Sequence, residues 1–295
     1  MRKLSFVYWL KIFFIFIFVI FTKTASADFI SGETLLTETE SLPYYLKDRG
    51  TGIPTSMFGT YITKGQIFVY PFFELYNDSD MEYSPDELGY NLVHDYKGKY
   101  RASEGLIFFG YGITDWLAIE FETAVISAEL EKSDDDTSGM PNKLKESGLG
   151  DVEGQIRWRW AEENERWPEL FSYFETVFPL QKDKVLIGTQ DWEYKLGIGA
   201  VKGFTFGTLT VRLATEYDRS ENKTELGEYA VEYLKKLSSR WRIYGGIEGS
   251  QDEVEVITEA QLHLNRNMFF KFNNAFGATA KATDWAPEIG IVFSF

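Results

Sequence analysis

Period-two alternation of apolar and polar side chains in about twelve segments, tryptophans near the segment ends, and a rhythm of long and short links predict an all-β chain. The fold class is a transmembrane antiparallel β-barrel of about 12 strands. A strand turns successive side chains to opposite faces, so alternation makes one apolar and one polar face. In VEGQIRWRW (152–160), Val152, Gly154, Ile156, Trp158 and Trp160 share one parity, and Glu153, Gln155, Arg157 and Arg159 share the other. A soluble barrel turns its apolar face inward. A membrane barrel turns it to lipid and encloses its charges. Strand number, aromatic strand ends and charge density favour the second, and an open sheet is excluded because unpaired backbone groups in lipid cost several kcal/mol each.

The first element is a secretory signal peptide over residues 1–27. Met1-Arg2-Lys3 precedes an apolar run containing FFIFIFVIF, and Ala25-Ser26-Ala27 forms a small-residue cleavage site. Its removal takes four basic residues and moves the formal net charge from −15 to about −19. Residues 28–65 follow as an irregular segment, because LPYYLKDRGTGIPTSM carries two prolines and several turn residues. It is either a plug folded into the barrel or a periplasmic tail. Tyr44, Tyr45 and Met57, which have no use in a solvated tail, favour the plug.

Residues 66–295 form the barrel. Its segments start near residues 66, 100, 116, 151, 169, 190, 206, 226, 240, 254, 268 and 285. WLAIEFETAV, TLTVRLATEY, EVITEAQLHL and PEIGIVFSF alternate cleanly, whereas QIFVYPFFELY, YRASEGLIFFGY and GEYAVEYLKKL do not. MFGTYI (57–62), just before the first segment, is a further short stretch able to pair. Links after the first, third and fifth segments are long and polar. Those after the second, sixth, eighth and tenth are tight (GITD, KGF, SS and NRN). That is the pattern of long outer loops and short periplasmic turns. AEENERWP after the fourth segment is longer than the pattern asks, and the link after the ninth is shorter. Trp116, Trp158, Trp160, Trp167, Trp192, Trp241 and Trp285 all fall near segment ends, at headgroup level.

Composition narrows the function classes. No cysteine is present, which removes disulfides, thiolate metal sites and a lipid-modified cysteine anchor. The acidic balance, with no basic patch to offset it, excludes nucleic acid as a partner. A mean hydropathy of −0.24 argues against a polytopic helical membrane protein.

The terminus Phe293-Ser294-Phe295 resembles the C-terminal signal by which bacterial outer-membrane proteins are recognised for assembly, with Phe293 and Phe295 as its aromatic positions. That implies a Gram-negative outer membrane, contact with its lipid and lipopolysaccharide, and the barrel-assembly machinery as a partner. Ser147-Gly148-Leu149-Gly150-Asp151-Val152, read as opening a strand after a long loop, resembles the GLGD motif of a barrel family assigned to transport in the phenol-degradation (MetA) pathway. Thr63-Lys64-Gly65-Gln66 is similar to that family's start. The resemblance spans roughly residues 60–295. It implies a porin-like pore or transporter for small solutes and supplies no catalytic residues.

Parity assigns the inward face. Its acids are Glu120, Glu122, Glu153, Glu175, Glu193, Glu216, Glu248, Glu255, Glu259 and Glu288. Its bases are Arg157, Arg159, Lys195, Arg212, Arg242 and Lys271, joined by Gln155 and His263. Two readings stay open: a narrow hydrated path with a weak preference for cations, or a lumen filled by cross-strand ion pairs in a structural or adhesive barrel. An enzyme is disfavoured. Of the two histidines, His94 lies in the first long loop near Asp86 and Asp95. His263 has Ser250 only on the preceding strand, at the opposite end. Asp134-Asp135-Asp136 lacks the regular ligand spacing of a calcium loop and is expected to be a solvated acidic loop, so neither metal nor cofactor is expected.

Overall fold

A computed structural model describes residues 41–220, 222–251 and 253–295; the expected signal peptide, and residues 28–40 of the segment after it, lie outside these. A 3₁₀ turn (Tyr44–Leu46) and two short strands, β1 (Ile53–Pro54) and β2 (Tyr61–Ile62), come first. The twelve barrel strands then run in chain order: β3 (Ile67–Tyr83), β4 (Tyr96–Gly112), β5 (Leu117–Glu131), β6 (Lys143–Ala161), β7 (Glu169–Phe178), β8 (Glu193–Phe204), β9 (Gly207–Asp218), β10 (Lys223–Lys236), β11 (Trp241–Ser250), β12 (Glu253–Asn265), β13 (Met268–Gly277) and β14 (Trp285–Ser294). Each pairs antiparallel with its sequence neighbours, and β14 pairs with β3 to close the barrel. Reciprocal hydrogen bonds between Ile67 and Phe295, at 3.0 and 2.9 Å, finish the seam at the short-turn end.

The outer face explains the strands. Phe121, Ile156, Leu170, Phe174, Leu196, Ile198, Val211, Leu213, Val231, Ile247, Phe272 and Ile289 are exposed on it, an apolar belt that water would not tolerate and lipid requires. Trp116, Trp158, Trp160, Trp167 and Trp241 gather at the short-turn end. Trp192 and Trp285 lie at the other. The wall is thus a transmembrane barrel, and its place is the outer membrane.

β6 departs most from the sequence reading. It begins at Lys143, not near 151, so the GLGD stretch lies inside the strand. There the β5–β6 register slips: Thr123 faces Val152 while Val125 faces Leu149. The extra residue is a β-bulge, with Gly148 at a φ of 149° that favours glycine. A bulge reverses parity. Below it Glu153, Gln155 and Arg157 face inward, and above it Glu146 and Gly148 do. β3 to β6 are also the longest strands, at 17, 17, 15 and 19 residues, and rise above the rest of the wall.

The acidic triplet is not uniformly solvated. Asp136 is buried, accepting from the Tyr83 hydroxyl at 2.9 Å and the Ser138 amide at 2.7 Å. The other loop candidate, His94, sets its ring edge-on to Tyr96 with centroids 4.7 Å apart.

Candidate pore

The site is built from the inside of the wall and a segment that touches it, the stretch 41–65. β1 and β2 pair with each other, and Ile53, Met57 and Ile62 bury against Phe68, Tyr70, Phe72 and Phe108 of the wall. On the other side Tyr61 and Phe58 pack with Phe171, Tyr173 and Tyr244. Polar links fix the hairpin around its rim. The Ser56 amide and hydroxyl donate to Glu120 at 3.0 and 2.5 Å. Arg157 reaches the Pro54 carbonyl, Arg159 the Gly52 carbonyl and Lys271 the Phe58 carbonyl, each at 3.2 Å. Arg49, itself buried, donates to Glu169 at 2.9 Å and to Glu163 at 3.2 Å. Asp48 accepts from the Lys236 amide at 2.9 Å and from Lys235 at 3.2 Å.

Several cavities flank this hairpin; one of about 190 Å³ lies at its Arg49 and Gly52 side, lined also by Ile62, Arg159 and Glu169. Toward the long loops lies a chamber of about 310 Å³, with Ser56, Met57 and Phe58 on its floor. Toward the short turns lies another of about 410 Å³, bordered by Gly59, Tyr61, Arg242, His263 and Arg266.

The parity set falls on the inner face. Glu120, Glu122, Glu153, Gln155, Glu175, Glu248, Glu255, Lys271 and Glu288 line the upper chamber. Arg242 and His263 border the lower one. Glu216 faces Lys195 across β8 and β9, and Glu193 lies two residues before Lys195 on the same face. Charges divide by height. Around the hairpin most of the described inward bases are paired, Arg242 excepted: Arg157 lies 3.3 Å from Glu120, and Lys271 3.0 Å from Glu259. Arg212 gathers Glu228, Glu232 and Glu248, and Lys195 holds Glu175 at 3.0 Å. In the chamber above, Glu122, Glu153 and Glu255 have no ion-pair partner among the described residues. The upper lumen is acidic with an apolar, aromatic flank formed by Phe72, Leu106 and Phe108.

Sequence reasoning missed Glu74, Glu104, Glu228 and Glu232, which also turn inward, and it missed the aromatic flank. All lie on β3, β4 and β10, the three strands without clean alternation. Their inner faces carry Phe68, Tyr70, Phe72, Phe108 and Leu234, which pack on the hairpin, so apolar residues occupy both parities. A β10 bulge between Leu226 and Glu228 adds a parity slip.

Ser250 and His263 sit at opposite ends of the β11–β12 pair, with Ser250 facing Glu253 and His263 stacked on Phe269, so no serine–histidine pair assembles there. Phe293 is buried and Phe295 exposed at the seam.

No family model matches the chain, and no curated protein is significantly similar to it. Among solved structures, an outer membrane channel from Pseudomonas putida F1 aligns with a TM-score of 0.59 and 13% identity, over 82% of this chain and 100% of that one. The translocator domain of the autotransporter NalP from Neisseria meningitidis aligns with a TM-score of 0.51 and 10% identity, over 79% and 90% of the two chains. The likeness is one of fold. The chain is an outer-membrane β-barrel.

Proposed function

We propose that this protein is a channel that passes small solutes across the outer membrane through a narrow, charged lumen with a preference for cations. The observation that carries this reading is the group Glu122, Glu153 and Glu255, carboxylates with no ion-pair partner among the described residues, in the chamber directly above the hairpin. Acids without cationic partners in a hydrated cavity draw positive charge from solution. Twelve strands make a barrel between the side-chain-filled eight and the open sixteen. Residues 41–65 then act as the constriction. The fold likeness to a channel from Pseudomonas putida F1 supports the class. The finer assignment, to the transporter family of the phenol-degradation pathway, rests on the GLGD motif. The aromatic terminus supports recognition by the assembly machinery, and the acidic outer loops suit contact with lipopolysaccharide through divalent ions.

A second reading has its own support. The ion pairs of Arg49, Arg157, Arg212 and Lys271 fill the middle of the lumen, as a structural or adhesive barrel would require. Planar-bilayer recording separates the two. Folded protein is expected to give discrete steps that scale with salt. Removing residues 41–60 is expected to enlarge them. Silence from inserted protein with or without the segment establishes the filled barrel, and equal steps from both forms remove the hairpin from the path.

A further inference from the structure

The loop between β7 and β8, residues 179–192, does not extend into solvent. Leu186 and Ile187 pack on Tyr76, Tyr100, Ile126, Ala102 and Ala128, all on the inner face of the raised wall formed by β3 to β5. Tyr76 also lines the acidic chamber, so the loop lies across its outer mouth. What holds the loop there is the GLGD bulge. One Asp151 carboxylate oxygen accepts from the Leu180 and Gln181 amides at 2.6 and 3.0 Å, and the other from the Thr189 amide and hydroxyl at 2.5 and 2.8 Å. Both ends of the loop are therefore tied to a single side chain. Its middle is tied by Glu146, which accepts from the Val185 and Leu186 amides at 3.3 and 2.8 Å, and by Lys184, which donates to the Ser147 carbonyl at 2.6 Å. Glu146 faces inward only because the bulge reverses parity. A Cβ on Gly148 would come within 2.6 Å of the Lys184 nitrogen, so a larger residue there would have to displace that lysine's tip from the Ser147 carbonyl.

We infer that Asp151 is a positioning residue for the pore: it clasps loop 179–192 against the inner wall, and the clasped loop sets the width of the outer mouth. This rests on the channel reading above. It gives the motif a physical role, since a carboxylate meeting four donors makes charge-assisted bonds stronger than neutral ones, and the bulge aims it inward. The loop carries Lys182 and Lys184, which report its release.

The test compares wild type, Asp151→Ala and the pair Leu186→Gly with Ile187→Gly, which frees the apolar anchor and leaves the carboxylate intact. Each is purified from outer membranes and shown to be folded by heat-modifiable migration. Two readouts follow: trypsin cleavage after Lys182 or Lys184, mapped by mass spectrometry, and single-channel conductance. Both variants are expected to be cut at least roughly tenfold faster, the change carried by about one charge-assisted hydrogen bond, and to give larger steps. Equal cleavage rates in wild type and Asp151→Ala overturn the clasp. Faster cleavage with unchanged steps overturns the loop's control of the mouth. Silence from wild type and both variants defeats the channel reading itself and the width control with it, whereas equal, non-zero steps from all three defeat the width control alone and leave the channel standing.

Discussion

Arg212 shows how much one side chain in the lumen can hold. The residue is buried, and its guanidinium meets Glu232 at 2.6 Å and Glu248 at 3.0 Å, with Glu228 on a third nitrogen. Five fixed donors on a planar fork suit this gathering, and a lysine cannot reproduce it. Arg212→Ala leaves three carboxylates facing one another, and breaking a buried ion pair typically costs about 3–5 kcal/mol. Urea unfolding in detergent micelles is expected to show a loss of that order; a loss below about 1 kcal/mol would mean that water already screens the cluster. The sequence marked Arg212 as an inward base from the parity of TLTVRLATEY. It did not reveal the trio, because Glu228 and Glu232 sit beyond a bulge on a strand whose alternation the hairpin had blurred.

At the scale of the element, each strand is a ruler with two faces, and both faces can be tested on β8. Ile198 is 62% exposed on the outer face, between Leu196 and Ala200, while Lys195 turns inward to Glu175. Ile198→Arg places a charge in the hydrocarbon and is expected to cost about 2–4 kcal/mol if it lies near the midplane. Unfolding of the variant in lipid vesicles measures it, and an unchanged stability would mean that this face does not meet lipid. Strand starts were legible wherever one face met lipid and the other met water, as on β5, β9, β12 and β14. The start of β3 was legible too, near residue 66 against Ile67, but which residues turn inward was not legible where a third partner intervened. On β3 and β4 the hairpin made the inner face apolar. On β6 the residues Lys143 to Gly150 rise beside β5 and above β7, with few apolar side chains to mark a lipid-facing side, and the bulge then reverses the count. A period-two reading cannot cross a bulge without knowing it is there. The motif glycines were visible in the sequence, but the carboxylate that gathers the ends of a loop some thirty residues later was not.

For the whole molecule, charge sets the expectation. The described inward bases are largely paired around the hairpin, so the path above it is acidic in a chain with a net charge of −15. In a salt gradient the reversal potential is expected to have the sign of a cation-preferring pore, and Glu122→Gln with Glu153→Gln is expected to move it toward zero. A potential of anion-preferring sign would instead point to the arginines around the hairpin as the selective layer. The seam between β3 and β14 bears on how such a molecule comes to exist. The Gln66 side chain donates to the Ser294 hydroxyl at 2.6 Å, across 228 residues of chain. Until β14 has been synthesised, β3 and the newest strand are both open edges, and each unpaired group would be costly in hydrocarbon. The sheet therefore matures as a growing ribbon with two sticky margins. It can be released into the bilayer only after its oldest and youngest barrel strands have met, which makes membrane insertion a strictly post-translational event for this topology.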